Sequence, residues 1–346
     1  MTEEKRNSGE QKLSPQTILD MNYAYARTAM LAASVRLHLF TLLAGKTRTP
    51  AELAREAHTL PEPTARLLKG LEALDLVEQA GDAYRLTPLA EQFLVEGKPS
   101  YLGGDTLGVL DFLPAWFTLA DVLRTSTPYR DLGDPTTAEA FFAPRVVDMF
   151  PAIFPVASRL AAALPLPQPQ EMGLQVLDVA AGSSPWGAAF ALQYPAAQVT
   201  ALDLPAVVTQ GRQHTASLGL AERFTWLEAN IETFEFQAYR YDLICCGHLL
   251  RFISDERAQT LLARLARSLR QQGTLLIADI FLNDERSGPP SALTIDLSML
   301  VNTAQGRIRT PGEIIAWLRD FGLHHIERIH LAGPFPVVVA RKGESL

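Results

Sequence analysis

The run Val176-Leu-Asp-Val-Ala-Ala-Gly-Ser-Ser-Pro-Trp-Gly187 holds the first residues with an evident chemical use. An apolar strand ends in a turn of small residues, and a helix follows. Small residues let a backbone approach a ligand closely, and a helix start offers free N–H groups. The spacing is neither the dinucleotide G-x-G-x-x-G pattern nor a P-loop, because no Lys-Ser/Thr pair follows. Further on, Asp203 in Val199-Thr-Ala-Leu-Asp-Leu-Pro205 ends the next strand. A carboxylate there can accept both hydroxyls of a ribose; the plainer alternative is an N-cap ahead of Pro205. Asn230-Ile231 lies just past a third strand, where an amide and an apolar side chain suit an adenine ring. Three such positions in order, at successive strand ends, predict a nucleoside across the edge of a sheet.

That sheet is legible in the pattern around them. Strands are expected at Gln175–Val179, Gln198–Leu202, Phe224–Glu228, Tyr241–Cys246 and Thr274–Asp279, with two later ones near His325–His330 and Val337–Ala340. Helices are expected from Trp186 to Tyr194, Pro205 to Leu218, Glu256 to Leu269 and Thr310 to Phe321. Alternation of this kind predicts an α/β fold with a parallel sheet covered on both faces. Leu164-Pro-Leu-Pro-Gln-Pro-Gln-Glu-Met-Gly173 reads as a linker before it.

Ahead of the linker the chain is helical. Residues 1–14 are polar and read as a loose tail. From Pro15 to about Leu43 the apolar stripe is too wide for one domain to cover, which predicts a partner subunit. Residues 48–90 read as a winged helix: Thr49 caps a helix starting at Pro50, a second helix runs from Pro61 to Leu74, and a Gly81-Asp82 turn joins a short hairpin. Residues 101–165 are helical and aromatic. Most of those rings suit core packing, but Trp116, Phe142 and Phe150 are candidates to line a pocket for a flat ligand. The expected domains are therefore 15–100, a connector 101–165, and 166–346.

Composition narrows the classes. With 31 Lys+Arg against 38 Asp+Glu the net charge is −7, and residues 1–100 hold 12 basic against 13 acidic residues. A nucleic-acid binder would show a basic face, so none is expected here, and a winged-helix regulator is disfavoured. The adjacent Cys245 and Cys246 fall on opposite faces of a strand and suit a reducing cytoplasm. The N-terminal stretch lacks the apolar core of a secretory signal. The longest uncharged run, Val179 to Leu202, is broken by two prolines, two glutamines and a turn, so no membrane span is expected. The seven His are scattered, with His324-His325 adjacent on a strand, so no metal site is expected. There is no G-x-S-x-G elbow.

VLDVAAG, ALDLP and YDLICCGHLLRFISDERAQTLLARLARSLRQQGTLLIADIF together resemble the S-adenosylmethionine-dependent methyltransferases of the caffeate O-methyltransferase type. This group includes bacterial antibiotic-tailoring and bacteriochlorophyllide enzymes. The resemblance runs from about residue 20 to near the end. It implies a Rossmann-like methyltransferase sheet behind an N-terminal helical winged-helix dimerisation domain, in a homodimer whose N-domains help close the partner's substrate pocket. It also implies S-adenosylmethionine as cofactor and a small-molecule acceptor. The implied cofactor set is Asp178, Ala180, Gly182, Asp203, Leu204, Asn230, Ile231 and Cys246. Asp296 and Met299 match a segment that lines the acceptor pocket, and Asn302, just beyond them, can supply an uncharged hydrogen bond.

The sequence departs from that pattern where the chemistry belongs. The family places a catalytic His in His-Asp-Trp-Ser-Asp-Glu; aligning Ser254-Asp255-Glu256 puts Arg251 there. One acidic partner is kept as Asp279, and the second is Ile308. A guanidinium cannot accept a proton at neutral pH. His248, three residues earlier, is a candidate substitute base. Arg251 either binds an anionic group of the acceptor or forms a salt bridge with Asp279 or Asp255. The reading is methyl transfer to an oxygen or carbon of a flat acceptor. The alternative is a related enzyme, a hydroxylase or pericyclase, that binds the cofactor without transferring its methyl group.

Overall fold

The computed structural model describes residues 14–166, 173–329 and 336–343. The expected tail (save Ser14), the middle of the linker and the last residue of the strand expected at His325–His330 lie outside them. The chain forms two compact units, 1–107 and 108–346.

In the first unit the apolar stretch after Pro15 forms three helices: Gln16–Asn22, Ala24–Arg36 and Leu39–Leu43. The last break falls at His38, which takes a left-handed conformation with φ +52°. Val35, Leu39, Phe40 and Leu43 point into the unit's core with Leu53, Leu68 and Leu71. Ile18, Met21, Tyr23 and Tyr25 stay exposed. Thr49 and Glu52 form a reciprocal capping box at the Pro50–Glu56 helix. The Pro61–Glu72 helix follows, and then the hairpin β1 (Val77–Ala80) and β2 (Ala83–Leu86), turning at Gly81, φ +69°.

The second unit is built on seven strands: β3 (Gln175–Val179), β4 (Gln198–Asp203), β5 (Phe224–Glu228), β6 (Tyr241–Gly247), β7 (Leu269–Ala278), β8 (Leu323–Ile329) and β9 (Val337–Lys342). Their order is β5-β4-β3-β6-β7-β9-β8. The first five are mutually parallel, but β9 runs antiparallel to both β7 and β8. The expected parallel sheet is thus a mixed one. Too few residues separate β8 from β9 for the helical crossover that a parallel pair needs.

Strand alternation sends side chains into two cores. Val176 and Cys245 face one, Leu177 and Cys246 the other. The Phe150–Ala163 helix, expected within a connector, buries Ile153, Val156, Ala157 and Leu160 in the first core beside Val176 and Val199. Residues 108–166 therefore fold with the sheet. Among the described residues no single helix is long and apolar enough to cross a membrane.

Candidate active site at the carboxyl edge of the sheet

The parallel strands all end at one edge, and the turn after β3 is the tightest point on it. Ala180, Gly182 and Ser184 all take positive φ, at +50°, +60° and +55°. Only glycine adopts that region without cost, so Ala180 and Ser184 carry strain that their surroundings must hold. Asp178, buried at the end of β3, supplies part of that hold. Its Oδ2 accepts from Ser184 Oγ at 2.6 Å and from the Gly187 N–H at 2.9 Å. Asp178 thus faces the turn and pins it to the Pro185–Gln193 helix. The Gly182 turn is also met closely from outside. A Cβ there would lie 2.9 Å from Val146, and a Cβ on Gly211 would collide with the Gly182 carbonyl and with Trp226.

Asp203 ends β4 beside this turn. Its Oδ2 accepts from the Gly182 N–H and its Oδ1 from the Leu204 N–H, each at 2.7 Å. Burial raises its pKa to about 6, and the neighbouring Glu139 carboxylate pushes the same way. Each oxygen retains a second lone pair for an incoming hydroxyl. Glu139 was not foreseen. It lies in the Pro135–Phe142 helix and accepts from the Ala206 N–H at 2.6 Å, filling the cap that Leu204 cannot supply to the Pro205–Ser217 helix. Past β5, Asn230 turns the chain by accepting the Glu232 N–H at 2.9 Å. Ile231 lines a cleft of about 280 Å³ with Ile253, Arg257 and Arg264. Cys246 lies wholly inside the second core, with its thiol pushed far up in pKa by burial. Only its main chain faces the edge.

Burial raises Asp178 to a pKa of about 7, against the two hydrogen bonds it accepts. A carboxyl raised above its unfolded value binds its proton in the folded state first. Between the two pKa values the native state holds more protons, so stability falls as pH rises toward about 7. We therefore expect the free protein to lose stability, on the order of a few kcal/mol, between about pH 4 and pH 7, with the raised Asp203 adding to the fall below about pH 6. Asp178→Asn should flatten that slope. Urea unfolding at several pH values measures it, and an unchanged slope in the variant would remove Asp178 as the source.

At the end of β6 the residues expected to do chemistry do meet. Arg251 pairs directly with Asp279, and the Asp279 carboxylate also accepts the Ile280 N–H. Both side chains are largely buried, 16% and 5% exposed. Of the two readings of Arg251, this geometry is the salt bridge with Asp279. His248 sits at φ +59°, and its main-chain N–H donates to the Ala278 carbonyl. Burial and the Arg251 charge push its pKa down to about 3, against the pull of Asp279. Its imidazole is neutral at pH 7 but a weak base.

Arg309 holds this turn from below. It is 3% exposed, pairs with Asp255, and donates to the carbonyls of Leu250 and Ile253, which flank Arg251. A buried Arg beside the capped Thr310 helix gives no signal in the sequence, because its partners are main-chain carbonyls nearly sixty residues away. Ile308 is fully buried with Met299, Leu282 and Ala292.

The expected acceptor residues divide. Phe142 packs edge-on against Phe252 at 5.3 Å between centroids, and the Arg251 guanidinium lies 4.8 Å from that ring. Met299 joins the same apolar cluster. Asp296 accepts the Ile308 N–H at 2.7 Å. Asn302 is fully buried. Its Nδ2 donates to the Ser298 carbonyl at 2.9 Å, and its Oδ1 meets no donor among the described residues. Trp116 is half-buried on a short turn that packs against the Pro290–Asn302 helix. Phe150 is not brought to this group: its ring stacks on Phe154 and meets His214 in the first core.

A tight small-residue turn at the carboxyl edge, a carboxylate at the next strand end and the mixed seven-stranded sheet behind them define a Rossmann-like α/β domain. Residues 158–324 match the O-methyltransferase domain, and residues 19–96 match the O-methyltransferase dimerisation domain. The chain belongs to this O-methyltransferase family and is an S-adenosylmethionine-dependent methyltransferase. It is 29% identical to the tetracenomycin polyketide synthesis 8-O-methyltransferase of Streptomyces glaucescens, over 95% of this chain and 97% of that protein. It is 26% identical to the 3-hydroxy-5-methyl-1-naphthoate 3-O-methyltransferase of Streptomyces sahachiroi, over 92% of each. Human N-acetylserotonin methyltransferase, solved with S-adenosylmethionine, superposes with a TM-score of 0.82 at 22% identity, covering 97% of this chain and 100% of that one.

Proposed function

We propose that the chain methylates a flat aromatic acceptor that reaches the site already ionised, without a proton-accepting side chain. S-adenosylmethionine supplies a sulfonium methyl with an excellent leaving group, so positioning can carry much of the rate. Asp203 and Leu204 would hold the ribose end, and Ala180, Gly182 and the main chain of Cys246 the strand-end face. Asn230 and Ile231 would flank the adenine. Asp178 would keep the turn in its strained shape. Phe142, Trp116 and Met299 would present the acceptor ring, with Asn302 Oδ1 accepting from one of its hydroxyls. Asp296 would support that wall through Ile308. The two Streptomyces relatives, named for polyketide and naphthoate acceptors, support a secondary-metabolite aromatic. The exposed apolar residues of the first helices and the match to a dimerisation domain support a homodimer through the winged-helix unit. We place the enzyme in the cytoplasm, acting on small molecules rather than nucleic acid or membranes.

The pairing of Arg251 with Asp279 carries this reading. It places a permanent cation where the family's base belongs, and it occupies the carboxylate that would orient one. The test compares 1-naphthol with 4-nitro-1-naphthol as acceptors, following S-adenosylhomocysteine formation against pH. We expect the rising limb of kcat/KM to move with each acceptor's own ionisation. A limb fixed at one pH for both acceptors would reveal an enzyme base and overturn the reading.

A further inference from the structure

We propose that Arg130 and Arg145 form a carboxylate-reading subsite, selecting acceptors that carry a monoanionic carboxylate on the aromatic skeleton. The proposal rests on the acceptor reading above and adds the charge of the ligand. Both guanidinium groups lie against one ring. The Arg130 and Arg145 Cζ atoms are 4.7 Å and 4.3 Å from the centroid of Phe141, whose side chain is buried. Arg130 also lies 4.9 Å from the Tyr129 ring. One residue serves both: the Asp111 carbonyl accepts from Arg130 Nη2 at 2.8 Å, and its carboxylate pairs with Arg145. Asp148, near Arg145, has its carboxyl pushed toward the neutral form by burial. Only Arg145 pairs with the Asp111 carboxylate; Arg130 meets its carbonyl alone and has no ion pair among the described residues, so its charge is left over. Two of their N–H groups, Arg130 Nε and Arg145 Nη1, are buried without an acceptor among the described residues.

The place of this pair ties it to the site. Phe141 packs edge-on against Phe142, and Phe142 against Phe252 beside Arg251. Val146, next to Arg145, sits against the Gly182 turn. Tyr129 and Leu132, around Arg130, donate their N–H groups to the carbonyls of Val301 and Asn302. The pair therefore lies between the turn after β3 and the end of the helix that carries Met299 and Asn302. Arginine fits this task because its planar fork binds the two oxygens of a carboxylate while stacking on a ring, which an ammonium cannot do. The Arg130 charge, which meets no carboxylate among the described residues, and the planar fork suit a monoanionic carboxylate.

The test is calorimetry on the full-length protein saturated with S-adenosylhomocysteine, using 2-naphthoate and the neutral isostere 2-naphthamide. We expect naphthoate to bind about tenfold tighter or better, the scale of a charge-assisted hydrogen-bond pair. Arg130→Gln and Arg145→Gln should bring it down to the affinity of naphthamide, and Arg145→Lys should recover only part. Asp111→Asn, which raises the positive excess, should tighten naphthoate alone; loss of a merely structural contact would not. Equal affinity of the two probes, no binding of naphthoate, or a preference that survives both Gln changes overturns the subsite. The S-adenosylhomocysteine titration separates the two levels. If that cofactor binds while the naphthoate preference is missing, the subsite falls and the methyltransferase reading stands. If it fails to bind, the cofactor reading falls and takes the subsite with it.

Discussion

Replacing Arg251 with Ala is expected to lower the unfolding free energy by about 3–5 kcal/mol, the range for removing one member of a buried ion pair. Asp279 is only 5% exposed and keeps a single other hydrogen bond of good geometry, from the Ile280 N–H. Without the guanidinium its charge stays in a low-dielectric pocket with no direct ion pair, and the Arg309 charge acts on it only from farther off. The cost lies in the orphaned carboxylate more than in the lost attraction. The double change Arg251→Met with Asp279→Leu should therefore recover most of the loss, because well-packed apolar groups often replace a buried pair at little cost. Urea unfolding would show this as a fall in the midpoint for the single variant and a return for the double. A loss under about 1 kcal/mol for Arg251→Ala would mean that the pair behaves like an exposed one, leaving Asp279 free to orient an enzyme base. Arg251→His offers a complementary readout. An imidazole beside Asp279 should be held in its charged form to higher pH, and a new rising limb in methylation of 1-naphthol would show that the site still accepts a base.

Asp203→Ala should weaken S-adenosylmethionine binding by about 1–3 kcal/mol, roughly five- to 150-fold, the range for losing a charged hydrogen-bond acceptor. Two effects combine in that number. The ribose loses its acceptor, and the Gly182 N–H loses the oxygen that fixes the turn after β3. Asp203→Asn keeps one acceptor oxygen and should fall between the two. The carboxyl's pKa of about 6 gives a pH signature. Binding that needs the ionised form should weaken as pH drops through that value, in the wild type and not in the Ala variant. Unchanged affinity in calorimetry would take Asp203 out of the cofactor site.

Much of the scaffold could be read from residue order because its signals are local. The β3 turn is small residues after an apolar run, the Pro205 helix starts with its proline, and the Thr49 and Thr310 boxes carry Glu three places on. Those features act within one or two turns of chain, and neighbouring residues suffice to specify them. The direction of the last strands was less legible, since alternation of apolar residues is the same in parallel and antiparallel neighbours. Phe150 shows the same limit among aromatics. Its type suits a pocket wall as well as a core, and only the folded chain brings its ring against Phe154 and His214.

Residue order sets the strand ends that carry Gly182, Asp203 and Asn230, the capped helices between them, and an Arg at position 251. Which charges meet depends on packing between distant segments. Arg251 found Asp279 rather than Asp255, because Arg307 and Arg309 from a distant loop already hold Asp255. Asp178 turned toward Ser184, Glu139 came to cap a helix far along the chain, and Arg130 and Arg145 converged on Phe141. Electrostatic partners are chosen by distance and burial, and both are set by packing between segments that the chain order keeps far apart.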